Sequence, residues 1–231
     1  MVIGTHNAYQ NNAIDDALFV VGNGHHTPNP VYSNAFIVKR DGNIQAAGEY
    51  GSMGADYAEM FEWEDGNPEA EDRIGYVVAL EGEKIRLAQS NDNILGVVSG
   101  TAAVLGDSAA INWKDKYVTD DFGRIIYDMV EEFEEIENEN GEKIQISLGF
   151  FKCPRLNPEY DETKGYIPRE QRPEWSKIGM LGKLYVRDDG TCLAGQYAKV
   201  SENGILTYSL APTNIQVMKR TKENIVYVLM K

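Results

Sequence analysis

Short apolar runs bounded by glycine, asparagine and aspartate recur along most of this chain, and helical periodicity is scarce. IGYVVAL (74–80), KIRLAQ (84–89), ILGVVSG (94–100), KIQISLGFF (143–151), KLYVRDDGT (183–191) and IVYVLM (225–230) each predict a strand. Their length and turn spacing fit a β-sandwich or barrel better than alternating helix and strand. Tyr185-Val186 followed by Asp188-Asp189-Gly190 predicts a hairpin into CLAGQYAKV. A helix is expected only at 55–62, just after GSMGAD. The fold class that follows is mainly β, with few short helices.

Residues 1–50 read differently. ALFVVGNG (17–24) and NAFIVKRDGNIQAAG (34–48) each present a small residue, an apolar stretch and a Gly-Asn or Asp-Gly turn, separated by the polar loop HHTPNPVYSN. Fifty residues of this kind bury little core by themselves. Stacked strand-and-turn units cover their apolar faces with neighbouring units or identical chains. The segment therefore reads as the end of a longer, oligomeric β-rich shaft, or else as a small hairpin packed on the main domain. The division expected is 1–50 and 51–231.

Two stretches leave alternatives. In DMVEEFEEIENENGEK (128–143), Met129, Val130, Phe133 and Ile136 fall at helical spacing, while Asn140-Gly141 before an alternating segment signals a protruding hairpin. The hairpin is the favoured reading. The proline-rich stretch 153–177 predicts a meandering loop anchored by Tyr160, Tyr166 and Trp175. Its Arg155, Arg169 and Arg172 suit bidentate anion binding or pairing with the chain's own carboxylates, and the second is favoured because no phosphate loop is present.

Composition narrows the function. With 231 residues, 42% hydrophobic and 25% charged, the chain is an ordinary folded protein of one or two domains. A net charge of −14 and a pI near 4.7 argue against nucleic acid and anionic membranes as partners. Cys153 and Cys192 make no disulfide framework, and three scattered histidines make no zinc site, so no metal is expected. Without a spanning apolar run or a signal peptide, synthesis in the cytoplasm is the expectation.

The candidate chemistry lies in GSMGADYAEMFEW (51–63). Ser52 stands among small flexible residues, four positions before Asp56 and seven before Glu59. On the expected helix a spacing of three would put Asp56 and Glu59 on one face. A hydroxyl, two carboxylates and a flexible peptide suit peptide-bond cleavage; the plainer alternative is a helix start capped by Ser52 or Asp56. For cleavage, one carboxylate takes a proton from Ser52 or water while the other donates to the leaving nitrogen.

GADYAEMFEW, NPEAEDRIGYVVAL, ILGVVSG and NPEYDETKGYIPREQRPEWSKIGMLGKLYVRDDGTC together resemble the intramolecular-chaperone autoproteolytic domain of bacteriophage tail-spike and neck-appendage proteins. The resemblance covers roughly residues 50–231, and the first fifty resemble the last turns of a β-helical spike shaft. It implies a homotrimer, assembled in the host cytoplasm, in which the domain guides its own upstream shaft and then cuts itself free, leaving the shaft in the virion tail. It places the cut at or beside Ser52 and the acidic partners at Asp56 and Glu59. A nucleotide assists some members; no GxxxxGK[ST] loop is present here, so no cofactor is expected. A non-cleaving trimerisation cap, a receptor-binding tip using Trp63, Trp113 or Trp175, and a glycosidase are the competing classes.

Overall fold

The computed structural model describes residues 2–5, 17–26, 28–111, 115–137 and 142–231. Trp113 and the Asn140-Gly141 turn lie outside the described residues. The chain divides into two compact units, Met1–Ser52 and Met53–Lys231.

In the first unit, β1 (Val2–Thr5), β2 (Ala17–Asn23), β3 (Asn34–Lys39) and β4 (Ile44–Ala46) form one sheet in that order. The two apolar runs pair antiparallel, β2 on β3, rather than as parallel rungs; only β1 and β2 run parallel. Asp41-Gly42 makes the expected turn between β3 and β4. Gly42 adopts φ +86°, a conformation that suits a residue without Cβ, and the Asn43 N–H donates to the Asp41 carboxylate at 2.9 Å.

The second unit is built on a ten-stranded sheet. Its strands are β5 (Asp56–Glu62), β6 (Val77–Glu81), β7 (Lys84–Leu87), β8 (Ile94–Val98), β9 (Ala102–Gly106), and later β12 (Trp175–Arg187), β13 (Tyr197–Val200), β14 (Leu206–Ser209), β15 (Ile215–Lys222) and β16 (Ile225–Met230). Between them, β10 (Tyr127–Glu137) and β11 (Lys143–Pro154) form a separate two-stranded antiparallel ribbon. The hairpin reading of the acidic run therefore holds, and the helical spacing within it is incidental.

Apolar burial explains the sheet. Val77 and Val97 join one core cluster with Leu184, Val186, Val226 and Val228, while their neighbours Val78 and Val98 join a second with Trp63, Ile85 and Ile178. Successive strand residues point to opposite faces, so β6 and β8 are covered on both sides. That is why VVAL and GVV read as continuous apolar runs rather than alternating ones.

Two expectations are corrected. Residues 55–62 form no helix: β5 is a strand paired with β12 on one side and β9 on the other, its first five residues alternating buried and more accessible. Good helix formers are outweighed here by two flanking ladders. Among the described residues the helical content is the single 3-10 turn Arg169–Gln171. The hairpin from Tyr185-Val186 into residues 192–200 is also absent, because β12 pairs with β16, β5 and β8 and not with β13. The buried Asp188 accepts backbone N–H groups of Gly190 (3.1 Å) and Cys192 (3.3 Å) and holds Arg220, which turns the chain away from its own strand.

In the loop before β12, the arginines pair with the chain's own carboxylates. Arg155 meets Asp128 at 2.6 Å, Arg169 meets Asp107 at 2.7 Å and lies 4.0 Å from the Trp175 ring centroid, and Arg172 meets Glu174 at 3.4 Å.

Candidate active site around Asp56

The segment leading into β5 is exposed from Gly48 to Met53, with Ser52 exposed as the last residue of the first unit and Met53 opening the second. Exposed backbone without a ladder is the kind of chain that can enter a reaction. At Asp56 the character reverses.

Asp56 opens β5 and is only 2% exposed. Its Oδ1 accepts a hydrogen bond from the Thr101 hydroxyl at 3.3 Å. Its Oδ2 is buried and has no hydrogen-bond partner among the described residues. The space it occupies is made by Gly179 on β12: a Cβ there would lie 2.6 Å from Oδ2 and 2.6 Å from the Leu184 Cδ2. Further along β12, Gly182 adopts φ +114°, and a Cβ there would lie 2.4 Å from the Ala55 carbonyl oxygen. The two glycines notch β12 so that the start of β5 can approach it closely. The ladder between the strands slips at Gly179/Leu181.

Burial pushes the Asp56 pKa above its ordinary value of 3.8, while the Ser99 and Thr101 hydroxyls oppose the rise. A charged carboxylate with an unpaired oxygen is costly in such a place, which is the physical cause of the rise. Asp56 is therefore no helix cap: it belongs to a strand, and its carboxyl is tied by a side-chain hydroxyl.

Glu59 points the other way. On a strand, an odd separation places two residues on opposite faces, and Glu59 shares its face with Tyr57 instead. The Tyr57 hydroxyl donates to Glu59 Oε1 at 2.5 Å, and this bond raises the phenol's pKa. Both side chains rest on Gly106 of β9, where a Cβ would lie 2.9 Å from Glu59 Cγ and 3.0 Å from the Tyr57 hydroxyl. Glu59 then lines a cavity of about 290 Å³ with Glu62, Glu83, Lys84, Asp107 and Trp175. Lys84 is committed to Glu62 at 2.7 Å, and Asp107 to the nearly buried Arg169.

Two of the three predicted site residues thus share a strand, but one chain does not bring their carboxyl groups together. Sequence reasoning missed Ser99, Thr101 and Gly179, which shape the surroundings of Asp56, and Tyr57, which holds Glu59. Tyr57 was findable once 55–62 is read as a strand, because the spacing of two puts it beside Glu59. No sequence signal links residues 99–101 or 179 to Asp56, since the contacts depend on long-range pairing.

The sequence matches the Peptidase_G2, IMC autoproteolytic cleavage domain over residues 3–226. It is 41% identical to the preneck appendage protein of Bacillus phage PZA over 147 residues, which is 63% of this chain and 15% of that protein. It is 36% identical to the putative phage-related protein YobO of Bacillus subtilis over 168 residues, covering 72% of this chain and 19% of YobO. Among solved structures it resembles the pre-mature bacteriophage phi29 gene product 12, with a TM-score of 0.70 at 32% identity over 92% of this chain and 26% of that one. It also resembles the C-terminal fragment of the same gene product, with a TM-score of 0.57 at 36% identity over 76% of this chain and all of that one. The chain thus spans less than a fifth of the length of these two curated relatives.

Proposed function

Since the chain belongs to the Peptidase_G2 family of autoproteolytic cleavage domains, we propose that it cuts its own backbone at or beside Ser52, once, and acts on no other substrate. The observation that carries this reading is Asp56: a buried carboxyl, its pKa raised by burial, opening the first strand after an exposed stretch of chain. Such a group is the acid that a departing peptide nitrogen needs.

A base takes the proton from the Ser52 hydroxyl, whose oxygen attacks the Gly51 carbonyl carbon. The carbon–nitrogen bond of the Gly51–Ser52 peptide breaks as Asp56 donates its proton to the nitrogen. The resulting ester takes up water, which separates the fragments and restores the hydroxyl. Water attacking directly in place of Ser52 leaves the role of Asp56 unchanged. Because Asp56 and the scissile bond belong to one chain, the effective molarity of the acid is high.

Glu59 is the second carboxylate. Lying across the sheet from Asp56, it serves as base on the junction of a neighbouring copy rather than on its own. The assembly is a homotrimer, so cutting waits until three chains are in register. The second unit acts as an assembly chaperone for the appendage or tail-spike shaft that ends in residues 1–50, in the host cytoplasm, and is then released. Loss of the chaperone makes shaft unfolding hard to reverse and holds the product kinetically.

Intact mass after purification and incubation tests the reading, for wild type and for Ser52→Ala, Asp56→Ala and Glu59→Ala. A small N-terminal and a large C-terminal fragment in wild type, with uncut chain in both carboxylate variants, is the expected result. One full-length mass in every trimeric sample leaves a non-cleaving trimerisation cap.

A further inference from the structure

Residues 99–101 run between β8 and β9 and grip the start of β5 at several points. The Ala55 N–H donates to the Thr101 carbonyl at 3.2 Å, the residue before the buried acid being thereby fixed. The Thr101 hydroxyl donates to Asp56 Oδ1 at 3.3 Å, and the Thr101 N–H donates to the Ser99 hydroxyl oxygen at 3.0 Å. Ser99 is itself buried and anchored to β12, its N–H donating to the Lys177 carbonyl at 2.8 Å. Gly54 packs so closely on the same bend that a Cβ would lie 2.5 Å from the Thr101 carbonyl oxygen.

We infer that this bend is a positioning device for the self-cleavage acid, in which Thr101 fixes Asp56 Oδ1 as the accepting oxygen and leaves the transferable proton on Oδ2. The inference rests on Asp56 acting as the acid, as proposed above. A neutral carboxyl donates through one oxygen and accepts through the other. With Oδ1 already accepting from Thr101, the proton belongs on Oδ2, the oxygen left unpaired over Gly179. Thr101 touches no reacting atom in this scheme; it acts through Asp56.

Among the described residues, Asp56 pairs with Gly182 of β12 and Ala102 of β9 in the ladders, its carboxyl packs over Gly179 of β12, and the Ser99 and Thr101 hydroxyls of the bend act on it. None is charged. A change in the titration of Asp56 on altering the bend therefore reports the hydroxyls themselves.

The test is self-cleavage rate against pH, read by intact mass, for wild type, Thr101→Val, Thr101→Ser and Asp56→Asn, with melting curves to confirm folding. Thr101→Val keeps the shape and removes the donor. A lost hydrogen bond to a carboxyl corresponds to roughly a tenfold change or more, so the plateau rate should fall about tenfold. The carboxylate also loses a group that favours it, so the basic limb should move to higher pH. Thr101→Ser should restore both. A Thr101→Val chain with the wild-type profile overturns the inference, as does a slower chain whose basic limb has not moved. If Thr101→Val does not fold, Ser99→Ala carries the test with the same expected direction, and an unmoved limb again overturns it. Asp56→Asn separates the two levels. If it blocks cutting while Thr101→Val is silent, only this inference falls; if it cuts like wild type, Asp56 is not the acid and both readings fall.

Discussion

Asp56 and Glu59 are three residues apart on one strand and face opposite sides of the sheet. Asp56 sits in a buried notch over Gly179, and Glu59 lies on the cavity side beside Tyr57. In the proposed function such a pair belongs to different copies, each junction taking Asp56 from its own chain and Glu59 from a neighbour.

Mixed assemblies should therefore complement. Asp56→Asn and Glu59→Gln chains, each uncut alone, are co-expressed with tags of different mass. In mixed trimers the Glu59→Gln chain keeps its own Asp56 and receives Glu59 from a neighbour, so it alone should be cut. Cutting in neither chain of a verified mixed trimer would place both carboxylates on one chain's junction.

Burial also sets a pH signature on stability. The folded state holds the Asp56 proton at pH values where the unfolded chain has released it. By linkage, the stability tied to this proton is complete below the ordinary aspartyl value, about pH 4, and is lost as pH rises through the raised folded value. Asp56→Asn keeps the shape and removes that loss. It should melt higher than wild type at neutral pH, with the gap closing below about pH 4. Wild type melting higher at neutral pH would mean that the charged form is stabilising here, contrary to a protonated acid.

How far the sequence reveals this arrangement can be traced residue by residue. IGYVVAL, KIRLAQ, ILGVVSG and IVYVLM coincide with β6, β7, β8 and β16, because apolar residues between turn formers bury locally whatever their partners. Asp41-Gly42 is legible for the same reason. Residues 55–62 are not: Ala, Glu and Met favour helix, and only the ladders to β12 and β9, more than a hundred and about forty-five positions away, make them a strand. The strand reading then reverses the site, since a spacing of three joins side chains on a helix and separates them on a strand. The spacing of Ser52, Asp56 and Glu59 in GSMGADYAEMFEW points to carboxylate chemistry, but the notch around Asp56 exists only after long-range pairing.

The Tyr57–Glu59 bond yields a spectroscopic check. Glu59 holds the Tyr57 phenol above its ordinary value of 10.0, chiefly through their hydrogen bond. In Glu59→Gln one tyrosine should ionise at lower pH than in wild type, seen as tyrosinate absorbance. Tyr57→Phe should abolish that difference. Because Tyr57 is 38% exposed, the substitution should leave melting nearly unchanged while slowing the cut. Equal tyrosine titrations in wild type and Glu59→Gln would show that the bond does not persist in solution.

Glycine positions give the sharpest steric prediction. At Gly179 an added methyl would meet Asp56 Oδ2 and Leu184 Cδ2, both at 2.6 Å, in a core where neither can retreat without disturbing β5 or the cluster around Val77. Overpacking of this kind costs about 1–3 kcal/mol. At Gly48, by contrast, nothing lies within 4 Å and the backbone needs no left-handed conformation. Gly179→Ala should therefore lose about that much in denaturant unfolding and lose cleavage with it, since the acid is displaced. Gly48→Ala should match wild type in both. The decisive comparison is Gly179→Ala against Leu184→Ala. Leu184→Ala also destabilises, by about 2–5 kcal/mol, but it leaves the notch open above Oδ2. If cleavage follows stability alone, the second variant is the worse cutter; if it follows the position of Asp56, the first is. The latter order is the expected one, with rates compared under conditions where both chains are folded.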